Sequence, residues 1–436
     1  MKRLQYFWEQ LNSSFWFIPL LLLMAAIGAS FGFISLDKVV SYVPDGTFKL
    51  IFPESAESAR SVLSIIAGAM IGVAGTVFSI TLVALTLASS QFGSRLLRNF
   101  MYDRLNQVVL GAYVSLFIYS LIVLNAVSET EHFQFVPVFS IMAAILVAIV
   151  NIFLLIIFIH HIAISIQSDK VISNISESLT SSIATLFPEE MGEEIEKEEQ
   201  IEVEALKEKW SASSLLMSSE SGYLQSIDSD RLMALATEHD LFIILLYKPG
   251  DYLVKKLRVG EVFAHKKIPD ELIKKLKGAF LVGKVRTPLQ DAEFAIHQMV
   301  EIAARALSPG VNDPYTAIAC IDNLASVMCH LTRVKFPSAY RYDENGELRI
   351  VADSLTFDGM LGASFNQIRQ FSEGSPSVVI RLMEVLIIIS KIAIKKDHQE
   401  AIGRHAKMVL NVAEQTFKEP LDLDDLKKRY NKLKVE

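Results

Sequence analysis

Four apolar runs in the first 160 residues constrain this chain more than any other feature, since each is over twenty residues long: 15–36, 62–90, 107–127 and 136–160. At about 1.5 Å per residue, each is long enough as a helix to cross a hydrocarbon core of about 30 Å. The whole chain of 436 residues is 51% hydrophobic yet 21% charged, so the two characters are segregated along it. Acidic and basic residues recur in every block after Gln167 and are confined to short clusters before it. The expected fold class is therefore a membrane α-helical domain of four transmembrane helices followed by a cytoplasmic α+β domain. Four segments are expected: helices in the membrane over 1–167, an amphipathic helix and acidic linker over 168–207, a small β module over 208–268, and a mainly helical bundle over 269–436.

Orientation follows from lysine and arginine in the short loops. Lys2 and Arg3 precede the first run, and Arg95, Arg98 and Arg104 crowd the link between the second and third, whereas the link 128–135 has none. Lys38, Lys49 and Arg60 partly oppose this bias, but the balance places both termini in the cytoplasm. Trp8, Phe15, Trp16 and Phe17 fall where the first run meets the interface. Cys320 and Cys329 lie nine apart in a segment that reads as one helix, too far to bridge each other, which fits a reducing compartment. A net charge of −7 argues against a nucleic-acid partner, which would require a basic face.

The second run differs from the others. Wound at about 100° per residue, Gly68, Gly72, Gly75, Ser79, Thr86 and Ser90 fall within a narrow arc and form a stripe of small, weakly polar residues. Lipid does not select such a stripe; a close-packed helix or a hydrated pathway does. No run carries Asp, Glu, Lys or Arg in its middle, which argues against transport coupled to buried ionisable groups. Asn125, Asn151, His160 and His161 are the strongly polar residues within or ending the runs.

In the second half, Ile172, Ile175, Leu179, Ile183 and Leu186 keep a helical spacing, so the fourth run is expected to continue as an amphipathic helix until Pro188. The glutamate-rich 189–204 reads as a solvated linker. A short helix over 229–239, a strand over 241–247, Pro249-Gly250-Asp251 and Gly260 read as a small β module. About forty residues of it resemble the barrel-sandwich hybrid of biotinyl and lipoyl domains, without the modified-lysine turn. Helices are expected over 270–277 and 290–307 with a short strand between them. Further helices are expected from Asp313-Pro314 to Thr332, from Ser375-Pro376 to Ile394, to Phe417, and over 422–432.

The string Arg305-Ala306-Leu307-Ser308-Pro309-Gly310-Val311-Asn312-Asp313-Pro314-Tyr315-Thr316-Ala317, with Arg286-Thr287 and Gln290-Asp291 upstream and Ser89-Ser90-Gln91-Phe92 after the second run, resembles a bacterial family of predicted membrane proteins of unknown function. That family is known as domain of unknown function number twenty-two fifty-four. The resemblance implies a bacterial inner-membrane protein with this plan of four spans and a domain. It implies no activity.

Physically the string is a helix–turn–helix corner, in which Pro309-Gly310 ends one helix and Asn312-Asp313-Pro314 caps the next. Three uses are open for it: backbone geometry alone, an anion pocket of Arg286 and Arg305 at the helix beginning with Pro314, or a salt-bridged corner joining Arg286 or Arg305 to Asp291 or Asp313. No nucleophile elbow, P-loop, dinucleotide fingerprint or zinc-protease motif occurs, and His398 and His405 lack an evident third ligand. The expectation is a non-enzyme without cofactor or metal. The leading expectation is a homo-oligomeric channel-like protein passing ions or small solutes through the bilayer. Its alternatives are a membrane-anchored ligand sensor or scaffold and an enzyme at the membrane surface.

Overall fold

The computed structural model describes residues 14–40, 55–93, 103–130, 133–186, 203–288 and 290–435. Lys2, Arg3, Trp8, Lys49, Arg95, Arg98, Pro188 and most of the glutamate-rich stretch lie outside them. The chain divides into two compact units, 1–170 and 171–436.

In the first unit, four helices are long and apolar enough to cross a membrane: α1 Phe17–Val39, α2 Ala56–Phe92, α3 Arg104–Ala126 and α4 Val138–Ser165. Each expected run is a helix, and α2, at 37 residues, is longer than expected. At about 1.5 Å per residue it reaches roughly 55 Å, well beyond the ~30 Å of hydrocarbon, so part of it tilts or projects. A two-stranded ribbon, β1 Ser128–Thr130 and β2 Phe133–Phe135, joins α3 to α4. The inner helix is α3, which packs against the other three through a core including Tyr113, Leu116, Leu63, Ile141 and Phe158.

Close approach within this unit occurs at Gly111, where a Cβ would sit 2.9 Å from the Cα of Pro19 on α1. The small residue that lets two backbones meet is thus on α3, not in the glycine stripe of α2.

Polar groups close the helix ends. Pro137 gives α4 no side-chain cap, and Asp37 of α1 supplies one instead. Its carboxylate accepts the N–H of Phe139 at 2.8 Å and both the N–H and the hydroxyl of Ser140 at 3.0 and 2.6 Å. These are orphan donors of a first helical turn. Arg60 donates to the carbonyl of Val127, the residue ending α3, at 3.2 Å. A cation there complements the negative end of that helix, which explains a positive charge that the loop count alone left opposed. At the other end, Asp103 caps α3 through the N–H of Leu105 at 2.9 Å and also contacts the Nε2 of His161 on α4.

The second unit opens with α5 Ser168–Leu186. It is a separate helix rather than a continuation of α4, because the chain breaks helical geometry at 166–167. Its Val171, Ile172, Ile175, Leu179 and Ile183 are buried, as their spacing requires. After α6 Val203–Lys207 come β3 Ala212–Met217, β4 Gly222–Ile227, α7 Ser229–Glu238, β5 Leu241–Leu245, β6 Tyr252–Leu253, β7 Arg258–Ala264, α8 Asp270–Lys277 and β8 Phe280–Gly283. The helices α9 Glu293–Ala306 and α10 Pro314–Leu331 are followed by β9 Tyr340–Tyr342 and β10 Leu348–Ala352. The helices α11 Phe357–Phe371, α12 Pro376–Ile392, α13 Lys396–Thr416 and α14 Pro420–Val435 close the chain.

The strands form a five-stranded sheet, β3-β7-β5-β10-β9, and a three-stranded one, β6-β4-β8. In the larger sheet β5 pairs antiparallel with β7 and parallel with β10, with Ile243 opposite Val262 on one side and Ile350 on the other. The β segment of 208–268 therefore takes partners from residues 280–283 and 348–352, outside the forty residues that resemble a barrel-sandwich hybrid. Helix α7 packs on β5 and β10, and α8 lies against β3. Helices α9 to α14 pack on one another around buried Met299, Ile321, Leu382, Ile402 and Leu426.

Candidate functional site

The motif residues separate into two clusters. They lie at opposite ends of α9, whose 14 residues span about 20 Å.

The first cluster is built where β4, the turn after β5 and the start of α9 meet. Gln290 locks this corner by mimicking a strand neighbour: its Oε1 accepts the N–H of Ile227 at 2.9 Å and its Nε2 donates to the Ile227 carbonyl at 3.2 Å. Arg286 grips Asp291 in bidentate fashion, through Nε and through Nη2 at 2.9 Å, while its Nη1 meets Nδ1 of His297 at 2.8 Å. The Asp291 side chain is only 2% exposed. Burial pulls the Arg286 pKa down, but the bonds and fields of Asp291, followed by the fields of Glu293 and Asp251, outweigh it and the net shift is upward.

Gly250, in the Pro-Gly-Asp turn, explains why that turn has no side chain. At φ +104° a Cβ would stand 2.6 Å from Asp291 Oδ2 and 2.9 Å from the Arg286 guanidinium. Lys248 from the same turn reaches Glu293, the first residue of α9, at 2.9 Å. Beside these pairs lies a cavity of about 260 Å³, lined by Tyr247, Lys248, Glu293, Arg341 and Asp353 among others.

The second cluster is the corner expected from Arg305-Ala306-Leu307-Ser308-Pro309-Gly310. The Ser308 hydroxyl donates to the Arg305 carbonyl at 2.6 Å, and the N–H groups of Asn312 and Asp313 return to the carbonyls of Ser308 and Ala306 at 2.9 and 2.8 Å. Asp313 caps α10: Oδ1 accepts the Thr316 N–H at 3.1 Å and Oδ2 its hydroxyl at 2.6 Å, with Pro314 in the first turn. The Thr316 hydroxyl bond, against a smaller opposing effect of burial, holds the Asp313 carboxyl below its ordinary range.

The residue with left-handed backbone is Asn312, at φ 50°, not Gly310, which has open space around it. Arg286 is engaged with Asp291 at the far end of α9, so Arg286 and Arg305 do not converge on the start of α10. Of the salt bridges expected for the motif, Arg286–Asp291 forms, at the first cluster.

Ser375 makes no side-chain cap, although Pro376 does open α12. His398 and His405 share a face of α13 and are both buried, but each meets α11 instead of a metal set. The His398 ring stacks on Phe357 at 4.0 Å, and His405 Nε2 lies 4.0 Å from Asp358. No cluster of His, Cys, Asp or Glu among the described residues could hold a metal ion. Cys320 is buried, which pushes its thiol up to about 12, and it is free, as is Cys329.

Ala59, Leu63, Ala67, Met70, Ala74, Val77, Thr81, Ala84 and Ala88 form the face of α2 buried against the chain's own helices. Gly68, Gly72, Gly75, Ser79, Thr86 and Ser90 lie on the opposite, exposed face. A Cβ at Gly68, Gly72 or Gly75 would meet nothing within 4 Å. The hydroxyls of Ser79, Thr86 and Ser90 donate to their own helix, to the carbonyls of Gly75, Leu82 and Leu87, each at 2.9 Å. Asn151, by contrast, is buried, with its amide 3.4 Å from the Ala112 carbonyl and 3.6 Å from Met70 Sδ. It joins α4 to its neighbours.

Sequence reasoning missed the contacts of Gly250, Lys248 and Glu293, and the cavity lined by Arg341 and Asp353. The Pro-Gly-Asp turn was a visible signal for the first, but pairing of a turn with a helix start some forty residues later leaves no local trace.

The four apolar helices agree with the family comparison. The chain matches the model of the DUF2254 family, described as predicted membrane protein, over residues 12–387. It is 30% identical over 425 residues to an uncharacterized protein of Mycobacterium bovis and to one of Mycobacterium tuberculosis, covering 95% of this chain and 79% of each relative. No solved structure matches it. The class is thus a multi-helix membrane protein carrying a mixed α/β unit, and the chain belongs to the DUF2254 family of predicted membrane proteins.

Proposed function

We propose that this chain assembles with copies of itself in the bacterial inner membrane, with both termini cytoplasmic, into a channel-like oligomer that passes ions or small solutes. The supporting observation is the outward-facing stripe Gly68, Gly72, Gly75, Ser79, Thr86 and Ser90. A side chain added at Gly68, Gly72 or Gly75 meets nothing within 4 Å among the described residues, and the stripe's shape suits a second backbone better than lipid tails. On α2 the stripe is flanked by exposed Ile71, Phe78, Leu82 and Val83, whereas the outer face of α4 exposes Leu146, Ile149, Ile152, Phe153 and Ile156 with no small residue exposed between them.

Because the stripe's hydroxyls are satisfied within α2, it can lie in a dry helix contact and still offer oxygen lone pairs to a hydrated path. The second unit acts in assembly or gating and is not catalytic. The test is flux from proteoliposomes, measured at several voltages and under tension, together with oligomer mass. Monomeric protein, or a well-folded oligomer without flux, refutes the reading.

A further inference from the structure

Two charged side chains, the half-buried Arg341 and the exposed Asp353, line the cavity beside Lys248 without an ion-pair partner among the described residues. Glu293 is closed by Lys248 at 2.9 Å, and Asp291 by Arg286. Among the described residues, however, Arg341 is paired with no carboxylate and donates to the Ser229 hydroxyl at 3.0 Å, while Asp353 has no ion-pair partner. Both charges come from one strand pair. Arg341 on β9 stands opposite Ile350 of β10, and Asp353 follows the end of β10. An offset of three residues at about 3.3 Å each is roughly 10 Å between their backbones. Arg341 and Asp353 nonetheless line the same cavity, with Asp353 past the end of the strand and on the exposed side.

We propose that this cavity binds a small zwitterion of the α-amino-acid type, its carboxylate on Arg341 and Ser229 and its ammonium on Asp353. Arginine matches a carboxylate's geometry, and an added hydroxyl donor fixes its plane. The volume of about 260 Å³, just under the ~300–1,000 Å³ typical of ligand pockets, suits a molecule of small-metabolite size. Ile227, Leu245 and Leu355 give the cavity an apolar wall, so the side chain accepted is aliphatic. The motif pair Arg286–Asp291 then has a positioning role: it neutralises a carboxylate at the cavity edge that would otherwise compete for Arg341. The site does not depend on the spans conducting.

The experiment is equilibrium binding to the full chain in detergent micelles, by calorimetry and melting temperature. The probes are alanine, valine, leucine and methionine, with glutamate and lysine as charged controls. An aliphatic amino acid binds and raises the melting temperature, whereas its amide and its N-acetyl derivative, each lacking one charge, bind at least about tenfold more weakly. Arg341→Gln and Asp353→Asn produce similar losses, and Arg341→Lys retains part of the affinity. The capped derivatives test the idea on the native chain, so a variant that folds poorly does not leave it open. Failure of all four aliphatic amino acids to bind overturns the proposal. So does equal binding of either capped derivative, or affinity unmoved by both variants.

Discussion

Replacing Gly72 by leucine separates a contact between copies from a contact within the chain. A Cβ at Gly72 meets nothing within 4 Å, so the isolated subunit has room for the new side chain. Leucine also favours a helix over glycine by about 0.8 kcal/mol, so the subunit is neutral to slightly more stable. In an oligomer whose α2 helices meet through this face, the same side chain stands where two backbones approach. Overpacking of that kind costs about 1–3 kcal/mol, or roughly a 5- to 150-fold weaker association at each contact.

The control is Ala74→Leu on the opposite face, where Ala74 is 4% exposed. There the clash lies inside the chain, and the subunit's own melting temperature falls. Oligomer mass by light scattering, and dilution-dependent energy transfer between labelled copies in liposomes, read the association. Unchanged oligomer size and flux in Gly72→Leu, Gly75→Leu and Thr86→Leu together would refute the stripe as a protein contact.

Asp313→Ala removes the α10 cap and costs about 1 kcal/mol, seen as a lower denaturation midpoint; complete loss of flux with normal melting would instead make the corner functional. The Asp313 carboxyl sits below its usual range when folded, so its contribution is present above its unfolded pKa, near 3.8, and disappears as pH falls through the folded value. Asp291→Asn leaves Arg286 without its buried counter-charge and costs roughly 3–5 kcal/mol; a loss under 1 kcal/mol would mean that the pair is open to water. Burial lowers the pKa of both His398 and His405. The unfolded chain therefore binds more protons below about 6.5, and stability present above that pH declines as the solution is acidified towards the folded values. His405→Gln should flatten that slope, and an unchanged pH profile would show that His405 protonates freely in the fold.

The membrane half was legible because its signal is one-dimensional: an apolar run long enough to cross a bilayer has few other uses, and the expected spans fall within one to six residues of the observed ends. What orders those helices was less so. The Asp37 carboxylate serves α4 more than a hundred residues later, and Gly111 rather than Gly68 or Gly72 carries the tight contact, because either choice satisfies the same small-residue pattern. In the second half, capping chemistry was local and readable at Asp313. The parallel strand β10, with β9 and α11, was not anticipated, since a short buried strand such as Leu348–Ala352 acquires its identity from β5 across the sheet.

The same limit explains the motif. Read as a string, Arg286, Asp291, Arg305 and Asp313 look like one constellation; wound into α9, they become the two ends of a rod about 20 Å long. One end is a capped turn held by bonds among its own residues, from Arg305 to Thr316. The other is an ion-paired wall beside the proposed zwitterion cavity, and ligand binding there would act on this end of α9.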